Sequence, residues 1–306
     1  MNETVPNPAA ASEPVLEIAG LNAALKSATG ERRLVLRGID LALQAGEIHG
    51  LVGESGAGKS MIARALLGIL PRAVRITAGQ ARFRGEDLLR LAPARRRALM
   101  GRQIALIPQD PLTALNPSRR IAAQMTDVMR RHLRLDRGQA IARARGLLRE
   151  VRIREPESVL RRYPHELSGG MRQRVLIATA FACEPALIVA DEPTTALDAT
   201  VQKQILRLLR AMQHRHGTAV LFVSHDLGAV SKLCGRLSVI HSGMIVEQGE
   251  TAGIVADPRH AFTRALFAAT PRHDRPGDSL APVPDAVIAE LERAAAAFDR
   301  APGAGG

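Results

Sequence analysis

The chain has 306 residues, long enough for one large domain or two modest ones with a substantial buried core. Apolar residues make up 46% of the sequence and charged residues 24%, as in ordinary globular proteins. No uncharged apolar run approaches the roughly 18 residues of a membrane-spanning helix, and the longest, VLIATAFAC, is about half that length. We therefore expect a globular chain that does not cross a bilayer by itself.

The net charge is +12, and nearly all of the basic residues are Arg, with one cluster, ARRRA, at 94–98. Such a charge can attract nucleic acid or a membrane surface. Aromatic residues make up only 2% of the chain and Trp is absent, so stacking on bases is not expected. We interpret the basic residues as solvated helix faces that can also contact anionic lipid headgroups, and we expect no nucleic-acid partner.

Neither the start of the chain nor its cysteines indicate an exported protein. Residues 1–14, MNETVPNPAAASEP, have no basic start and no apolar run, so they predict a disordered tail and not a signal peptide. Cys183 and Cys234 form no CxxC pair and have no His at metal-ligand spacing. We interpret them as buried thiols of a protein in a reducing compartment.

The N-terminal part of the chain reads as strands around one helix. Short strands separated by turn residues are predicted within 15–52, at VLEIAG, LVLRGIDLALQ and EIHGLV. The segment MIARALLGIL is predicted to form a helix that ends at Pro71. Strand-like segments follow at 75–85 and, as IALIPQ, at 104–109.

From about 111 to 170 the pattern changes to Arg-rich helical segments without a clear buried strand. Beyond this block, helices are predicted at 171–183, 200–214 and 226–234, and apolar strands at 186–190, 218–223 and 236–241. Buried strands that alternate with helices indicate a parallel sheet. We therefore predict an α/β fold with a helical insertion at about 111–170.

One further helix is predicted near the end of the chain. Pro and Gly punctuate residues 271–284, and the following DAVIAELERAAAAFDR has the apolar periodicity of an amphipathic helix. Its apolar stripe is expected to contain Val287, Leu291, Ala294 and Phe298. The predicted organisation is a main domain at 15–270 and an extension at 271–306 that carries one helix.

A glycine-rich loop lies between the strand EIHGLV and the first helix. Its sequence, GESGAGKS at 53–60, fits the pattern GxxxxGK[ST] in the strand, loop and helix context of a phosphate-binding loop. Glycines let backbone N–H groups approach phosphate oxygens, and the helix N-terminus adds a positive potential. We expect Lys59 to reach the β- and γ-phosphates of a nucleotide and the Ser60 hydroxyl to help hold Mg²⁺. The predicted phosphate-binding residues are Gly53, Glu54, Ser55, Gly56, Ala57, Gly58, Lys59 and Ser60.

Polar residues also follow three of the predicted strands. Asp191 and Glu192 come directly after the strand at 186–190, which predicts a Mg²⁺ ligand and a carboxylate that polarises the attacking water. His225 follows the strand at 218–223, so it should lie at the same edge, where it contacts the γ-phosphate or orients Glu192. Gln109 ends the strand IALIPQ and faces that edge too, where its amide oxygen is expected to bind Mg²⁺ or the water.

The stretch LSGGMRQRV at 167–175 completes a set of motifs that resembles the set found in ABC-type ATPases. Over about residues 15–270 the motifs follow the family's order: GESGAGKS, Gln109, LSGGMRQR, ADEP, ALD and SHD. The resemblance implies a RecA-like P-loop NTPase with a parallel-sheet core, an antiparallel β subdomain and a helical insertion subdomain. It also implies Walker A at 53–60, a Q-loop at Gln109, Walker B ending at Asp191, catalytic Glu192 and a switch His225.

In that family two such domains pair head to tail. The resemblance implies that the signature loop Ser168-Gly169-Gly170 of one chain closes on the ATP held by the Walker A loop of the other. A second glycine-rich helix start is then expected to serve a phosphate on a partner chain. ATP and Mg²⁺ are the expected cofactors.

Three segments, ILPRAVRITAG, PQDPLTALNP and DPRHAFTRALFAATP, are similar to the ATP-binding subunits of the peptide and nickel importer group. The chain departs from that group at Ala261 and Phe262, where Pro and Tyr are usual. It also lacks a cysteine-rich tail, so no iron–sulfur site is implied. Leu25 occupies the position that usually offers an aromatic ring to adenine, so only an apolar contact is expected there.

The resemblance implies the ATP-hydrolysing motor subunit of an ABC importer. Di- and oligopeptides are the first choice of substrate, and nickel or a metal chelate is the alternative. A soluble ABC ATPase that acts on DNA is a more remote alternative, because the segment between Walker A and the signature has neither sustained heptads nor Cys pairs.

The same resemblance implies several partners. They are a second ATPase subunit, identical or paralogous, two integral-membrane permease subunits and, indirectly, an extracytoplasmic substrate-binding protein. The chain is expected at the cytoplasmic face of the inner membrane, as a peripheral subunit.

Overall fold

A computed structural model describes residues 13–26, 32–195, 197–269 and 283–301. Of the predicted tail at 1–14, all but the last two residues lie outside the described residues. The strands are β1 (Leu16–Lys26), β2 (Arg32–Leu43), β3 (Ile48–Val52), β4 (Val74–Phe83), β5 (Glu86–Asp87), β6 (Ile104–Ile107), β7 (Leu187–Asp191), β8 (Ala219–Ser224), β9 (Arg236–His241) and β10 (Met244–Glu250).

The helices are α1 (Lys59–Leu67), α2 (Pro93–Leu99), α3 (Pro111–Ala114), α4 (Ile121–Leu133), α5 (Arg137–Glu150), α6 (Pro156–Arg161), α7 (Gly169–Ala180), α8 (Ala199–His216), α9 (Leu227–Leu233), α10 (Thr251–Ala256), α11 (Ala261–Ala268) and α12 (Asp285–Arg300). A short 3-10 helix at Pro164–Glu166 precedes α7.

The strands form two sheets with different pairing. One is antiparallel, in the order β2-β1-β4-β5, and the other has the order β10-β9-β3-β8-β7-β6. In the larger sheet β9, β3, β8, β7 and β6 run parallel, while β10 pairs antiparallel with β9 at the edge. The edge strand β10 was not predicted, because its residues are only partly buried and it carries no long apolar run.

Alternate residues of the central strands face two different cores. In β7, Leu187 and Val189 pack with α1 and the antiparallel sheet, whereas Ile188 and Ala190 pack with the helices on the opposite face. Strands that are buried on both faces lose the alternation of polar and apolar residues. This double burial explains why β7 and β8 read as nearly continuous apolar runs in the sequence.

The segment between β6 and β7 is helical in the described residues. Its helices α4, α5, α6 and α7 pack against one another around buried apolar side chains such as Met125, Met129 and Leu148. A reciprocal capping box of Asp136 and Gln139 fixes the start of α5. These helices lead the chain from Gln109 to the start of α7 at the signature loop.

Helix α12 forms where the sequence predicts it, but one member of its predicted apolar stripe is wrong. Leu291 and Ala295 are the buried residues, Val287 and Phe298 are partly buried, and Ala294 is exposed. At about 100° per residue, 295 lies about 40° around the helix from the buried Leu291, whereas 294 lies about 60° from it on the other side. The packed face is thus rotated slightly from the predicted one.

The structure bears on the predictions for the cysteines and for membrane-spanning helices. Cys183 and Cys234 are both free and buried, as predicted. Burial raises the pKa of the Cys234 thiol, so this group is inert near neutral pH. In the part of the chain that the structure describes, no helix is long and apolar enough to cross a membrane.

Candidate functional site

Four neighbouring strands of the larger sheet end at one edge and deliver the predicted site residues there. The register pairs Val52 of β3 with Ser224 of β8, Asp191 of β7 with Val223 of β8, and Ile107 of β6 with Ala190 of β7. Because these strands are parallel, their carboxyl ends lie side by side. The Walker A loop, Gln109, Glu192 and His225 therefore converge on this edge.

The Walker A loop (residues 53–60) has a backbone that requires glycine at individual positions. Gly56 and Gly58 have φ angles of 83° and 109°, in the region that favours glycine. A Cβ on Gly53 would lie 2.1 Å from the carbonyl oxygen of Ile240, whereas one on Gly56 would meet no atom within 4 Å. The loop is thus packed tightly underneath and open at its tip, where Ser55 is also exposed.

Helix α1 begins at this loop with free amide groups. Gly58 is its N-cap and supplies no side chain, and within the described chain the N–H groups of Gly58, Lys59 and Ser60 have no hydrogen-bond acceptor. Unpaired N–H groups at a helix N-terminus, with the helix dipole behind them, form an anion-binding site. Ala57, by contrast, is buried and accepts a hydrogen bond from Gly243 N at 2.9 Å, so it belongs to the packed underside.

Lys59 places an ammonium group inside the curve of the loop. Its side chain is buried, and Nζ donates to the carbonyl oxygens of Gly53 and Glu54, at 2.8 Å each. Burial lowers the pKa of Lys59, while the nearby carboxylates of Glu192, Asp191 and Glu54 oppose that shift. A cation held in this position suits an anionic group with several oxygens.

Glu192 is the centre of a hydrogen-bonded cluster. Its Oε2 accepts from Gln109 Nε2 at 3.1 Å and Thr195 Oγ1 at 3.0 Å, and lies 3.0 Å from His225 Nδ1. Its Oε1 is 3.9 Å from Lys59 Nζ. The carboxylate is therefore held between His225 and Lys59 of the Walker A loop.

The backbone at Glu192 is unusual for a residue with a side chain. Its φ is 46°, and its N–H donates to Val223 O at 2.9 Å, which ties it to the neighbouring strand β8. A non-glycine residue in this conformation costs on the order of 1 kcal/mol or more and tends to occur at functional sites. The backbone at Glu192 is thus strained, and this conformation fixes the position of its carboxylate.

Thr195 was missed by the sequence reasoning, although it is part of this cluster. It follows Glu192 by three residues in the turn after β7, and its N–H donates weakly to Glu192 O at 3.4 Å. The sequence did contain a clue: a hydroxyl residue three positions after the carboxylate, where a turn can bring the two side chains together. Its hydrogen bond to Oε2 restricts the rotation of the Glu192 side chain.

Ser60 and Asp191 meet beside this cluster, where a divalent cation was predicted. Ser60 Oγ donates to Asp191 Oδ1 at 3.1 Å, and burial raises the pKa of the Asp191 carboxyl. Gln109, the third predicted ligand, donates its amide N–H to Glu192. No group of three or more His, Cys, Asp or Glu side chains suited to a metal occurs in the described residues. Ser60 and Asp191 supply two oxygen ligands, so a Mg²⁺ ion here would take its further ligands from other groups, such as water or phosphate oxygens.

The signature loop (Ser168, Gly169 and Gly170) is not hydrogen-bonded to the Glu192 cluster in the described residues. Ser168 is the N-cap of α7, and its hydroxyl accepts from Met171 N at 3.3 Å. Ser168 and Gly169 are exposed, and Gly170 faces α8, where an added Cβ would lie 3.0 Å from Val201 Cγ1. Among the described residues, no hydrogen bond joins these three residues to the Walker A loop. The structure therefore does not bring the two glycine-rich helix starts into direct contact within one chain.

Leu25 lies near the end of β1 in the antiparallel sheet. It is paired with Arg33 of β2 and Val74 of β4, and 39% of its surface is exposed. An exposed Leu at this position offers an apolar surface and no ring.

Comparisons with known proteins agree on the family. A family model described as "ABC transporter" matches residues 36–195. The chain is 46% identical over 277 residues to an Escherichia coli K12 protein named "Probable D,D-dipeptide transport ATP-binding protein", covering 90% of this chain and 84% of that one. It is 38% identical over 272 residues to a dipeptide transport ATP-binding protein of Bacillus subtilis 168, covering 89% and 81%.

Solved structures support the fold independently. A dimeric ATP-binding cassette in a post-hydrolysis state, bound to ADP and phosphate, superposes with a TM-score of 0.69 over 77% of this chain and 98% of that chain, at 23% identity. The predicted ABC ATPase fold, with its parallel core, antiparallel sheet and helical insertion, is confirmed. The chain belongs to the ABC transporter family and is an ATP-hydrolysing cassette, similar along most of its length to ATP-binding subunits of peptide importers.

Proposed function

We propose that this chain is the ATP-hydrolysing motor subunit of an ABC importer for di- or oligopeptides. Relatives at 38–46% identity are named for the transport of dipeptides, and the match to them extends over about nine tenths of the chain. The cassette itself supplies the energy, and the choice of substrate belongs to other subunits.

The Walker A loop binds the ATP phosphates in this proposal. The free amides at the start of α1 and the Lys59 ammonium face the β- and γ-phosphates, and the open space over Gly56 leaves room for them. Bound Mg²⁺ would offset phosphate charge, and its protein ligands would be Ser60 and Asp191, with the Gln109 amide oxygen as the further candidate. Leu25 would contact the adenine through its apolar side chain.

Hydrolysis is assigned to Glu192 as the general base. The single observation that carries this assignment is the Glu192 cluster, in which Oε2 meets Gln109, Thr195 and His225 while Oε1 points toward Lys59. A carboxylate held this way can accept a proton from a water that attacks the terminal phosphate. His225 is within reach of the same oxygen, so it can orient Glu192 or take up charge as the proton moves.

The active unit in this proposal is a head-to-tail pair of cassettes, identical or paralogous. The exposed start of α7, at Ser168, Gly169 and Gly170, supplies free N–H groups and a positive helix end to the γ-phosphate on the partner. Two permease subunits would receive the resulting motion. An extracytoplasmic binding protein would deliver the peptide, and the cassette would work at the cytoplasmic face of the inner membrane as a peripheral subunit.

The substrate is tested through the extracytoplasmic binding protein of the proposed transporter. Titration calorimetry with a di- and tetrapeptide set and, separately, with Ni²⁺ should give micromolar or tighter binding for peptides and none for the metal. The reconstituted transporter should then hydrolyse ATP faster when the binding protein carries peptide. Binding of Ni²⁺ without peptides would replace the peptide assignment with a metal importer, and stimulation of the isolated cassette by DNA would contradict the transport role.

A further inference from the structure

The Walker A loop is connected from behind to the C-terminal helix α12 through Arg37. This arginine lies in β2 and is 8% exposed. Its Nε and Nη2 donate to Asp299 Oδ1 and Oδ2 at 2.7 and 2.8 Å, a bidentate pair, while Nη1 donates to Ser242 O at 2.7 Å. One buried side chain thus holds the end of α12 and the turn between β9 and β10.

That turn is pressed against the underside of the Walker A loop. Ser242 and Gly243 both have positive φ, 47° and 74°. Gly243 N donates to Ala57 O at 2.9 Å, and Gly243 O accepts from Arg37 N at 2.8 Å. An added Cβ on Gly243 would lie 2.4 Å from Val35 O, so the turn has no room to move toward β2.

The N-cap of α1 rests on the same layer. A Cβ on Gly58 would lie 3.1 Å from Leu36 Cδ2, 3.2 Å from Val35 O and 3.4 Å from Gly243 Cα. The start of α1 therefore sits directly on β2 and on the turn that Arg37 holds. A displacement of either would change where the free amides of α1 point.

A second contact links α12 to the loop through His241. Its Nδ1 is 3.8 Å from Glu54 Oε2, and its ring centroid is 4.5 Å from that of Phe262 in α11. Burial lowers the pKa of His241, and the carboxylates of Glu54 and Glu292 oppose that shift. Because α11 packs against α12, His241 and Phe262 form a second route of contacts between the Walker A loop and α12.

Apolar packing seats α12 on the antiparallel sheet and against α11. Phe298 packs on Ala24, Leu34 and Gly38 of the antiparallel sheet, and Leu291 joins the core that includes Phe262. The helix is therefore docked at two points, and Asp299 lies one residue after the aromatic anchor. This docking presents the carboxylate to Arg37 at low entropic cost.

We propose that Asp299 and Arg37 are positioning residues for ATP binding, and that α12 is a clasp that holds the Walker A loop in its phosphate-binding shape from behind. Neither side chain touches the nucleotide. A bidentate charge-assisted pair is a strong and geometrically specific contact. Without Asp299, the buried Arg37 fork loses its counter-ion and the Ser242–Gly243 turn loses its restraint.

The test compares Asp299→Asn with Asp299→Glu, and with Glu290→Gln as a matched control on an exposed part of α12. Asp299→Asn should raise the KM and the Kd for ATP about three- to tenfold, with kcat within about twofold of the wild type. Asp299→Glu should restore at least half of that loss, and Glu290→Gln should leave all constants unchanged. Hydrogen exchange of the Gly243 amide should become faster in Asp299→Asn. This amide donates to Ala57 O in the Walker A loop, and a less restrained turn would break that bond more often.

A double-mutant cycle with Arg37→Gln tests whether the pair acts as one unit. The double variant should bind ATP no more weakly than the worse single variant. Additive losses, an unchanged ATP affinity in Asp299→Asn, or a fall in kcat at constant KM would each overturn the proposal. The inference rests on ATP binding by the Walker A loop and not on peptide import. If the wild-type chain itself failed to bind ATP, the proposed function would fail first.

Discussion

The chain contains two glycine-rich helix starts that look alike in sequence and differ in their surroundings. At the Walker A loop, Lys59 is 4% exposed and the glycines are backed by β2, β9 and the Ser242–Gly243 turn. At the signature loop, Ser168 and Gly169 are exposed, and Ser168 caps its own helix. The first start is enclosed on one side and open at its tip, whereas the second is open to solvent.

Because their surroundings differ, two helix starts of the same local geometry can bind phosphate in different ways. Free amides at a helix N-terminus bind an anion wherever they occur, but only enclosure and a fixed cation make a site that holds a nucleotide by itself. The Walker A loop has both within one chain. The signature loop has neither, so in our proposal it completes a site whose other half lies on a partner.

The largest expected effect concerns the enclosed half of the site. Glu192→Gln keeps the shape of the cluster but removes the base, so we expect turnover to fall about 10²- to 10⁴-fold while ATP binding is retained. Phosphate-release kinetics and equilibrium binding measure the two quantities. Glu250→Gln, at an exposed Glu outside the cluster, is the control. Near-normal turnover in Glu192→Gln would remove Glu192 from the base role.

The next effect tests the open half directly. Ser168→Arg places a bulky cation at the exposed start of α7, so turnover should fall about 10²-fold or more while the Kd of the isolated chain for ATP is unchanged. Loss of ATP binding by the isolated monomer would contradict the proposal that Ser168 acts on ATP bound to the partner chain.

A mixing experiment then assigns the two halves to different chains. Ser168→Arg and Lys59→Ala are each expected to be inactive as homodimers. A mixed dimer should recover one working site, formed by the intact Walker A loop of the first chain and the intact signature of the second. If the chains form homodimers, absence of any recovery in the mixture would argue that both halves act within one chain.

A smaller effect concerns the adenine. Replacing the exposed Leu25 by Tyr adds a ring where an apolar contact is proposed, and base stacking contributes about 1–3 kcal/mol per base. We expect the Kd for ATP to tighten severalfold in Leu25→Tyr, measured by equilibrium titration. Leu112→Tyr is the matched control, since Leu112 is also exposed but lies in α3. An equal Kd in the two variants would place the adenine elsewhere.

The smallest effect is on stability and depends on pH. The pKa of Asp191 is raised in the folded chain, mainly by burial, so its contribution to stability is present below the unfolded pKa of about 3.9 and is lost as the pH rises through the folded value. Without nucleotide or Mg²⁺, Asp191→Asn should therefore melt about 2 °C or more above the wild type at pH 7, with the difference shrinking toward pH 4. Calorimetric scans with the exposed Asp257→Asn as control measure this, and a Tm difference that is constant with pH would contradict it.

The predictable part of the site lies within short segments of the chain. Lys59, Asp191, Glu192 and His225 follow strands or open a helix, and parallel strands bring such positions to one edge whatever the rest of the chain does. The contacts of individual side chains were harder to predict from the sequence. Gln109 was expected to bind Mg²⁺ or the water through its oxygen, and the structure adds a contact that was not predicted, a hydrogen bond from its amide N–H to Glu192.

Contacts between distant residues could not be read in advance. Thr195 joins the cluster through the shape of a turn, and Arg37 meets Asp299 across 262 residues of sequence. The misplaced stripe of α12 has a related cause, because the face that a helix buries depends on what it packs against.

From the sequence alone one could predict the family, the cassette's nucleotide-binding loop and the order of the core strands and their helices, because glycine geometry, strand burial and capping act over a few residues. Only the tertiary structure shows what surrounds each glycine-rich helix start. The Walker A loop is enclosed, the signature loop faces solvent, and Asp299 is connected to the back of the Walker A loop through Arg37. Burial and ion pairing between residues far apart in the chain depend on the packed arrangement of whole elements, and no local pattern specifies that arrangement.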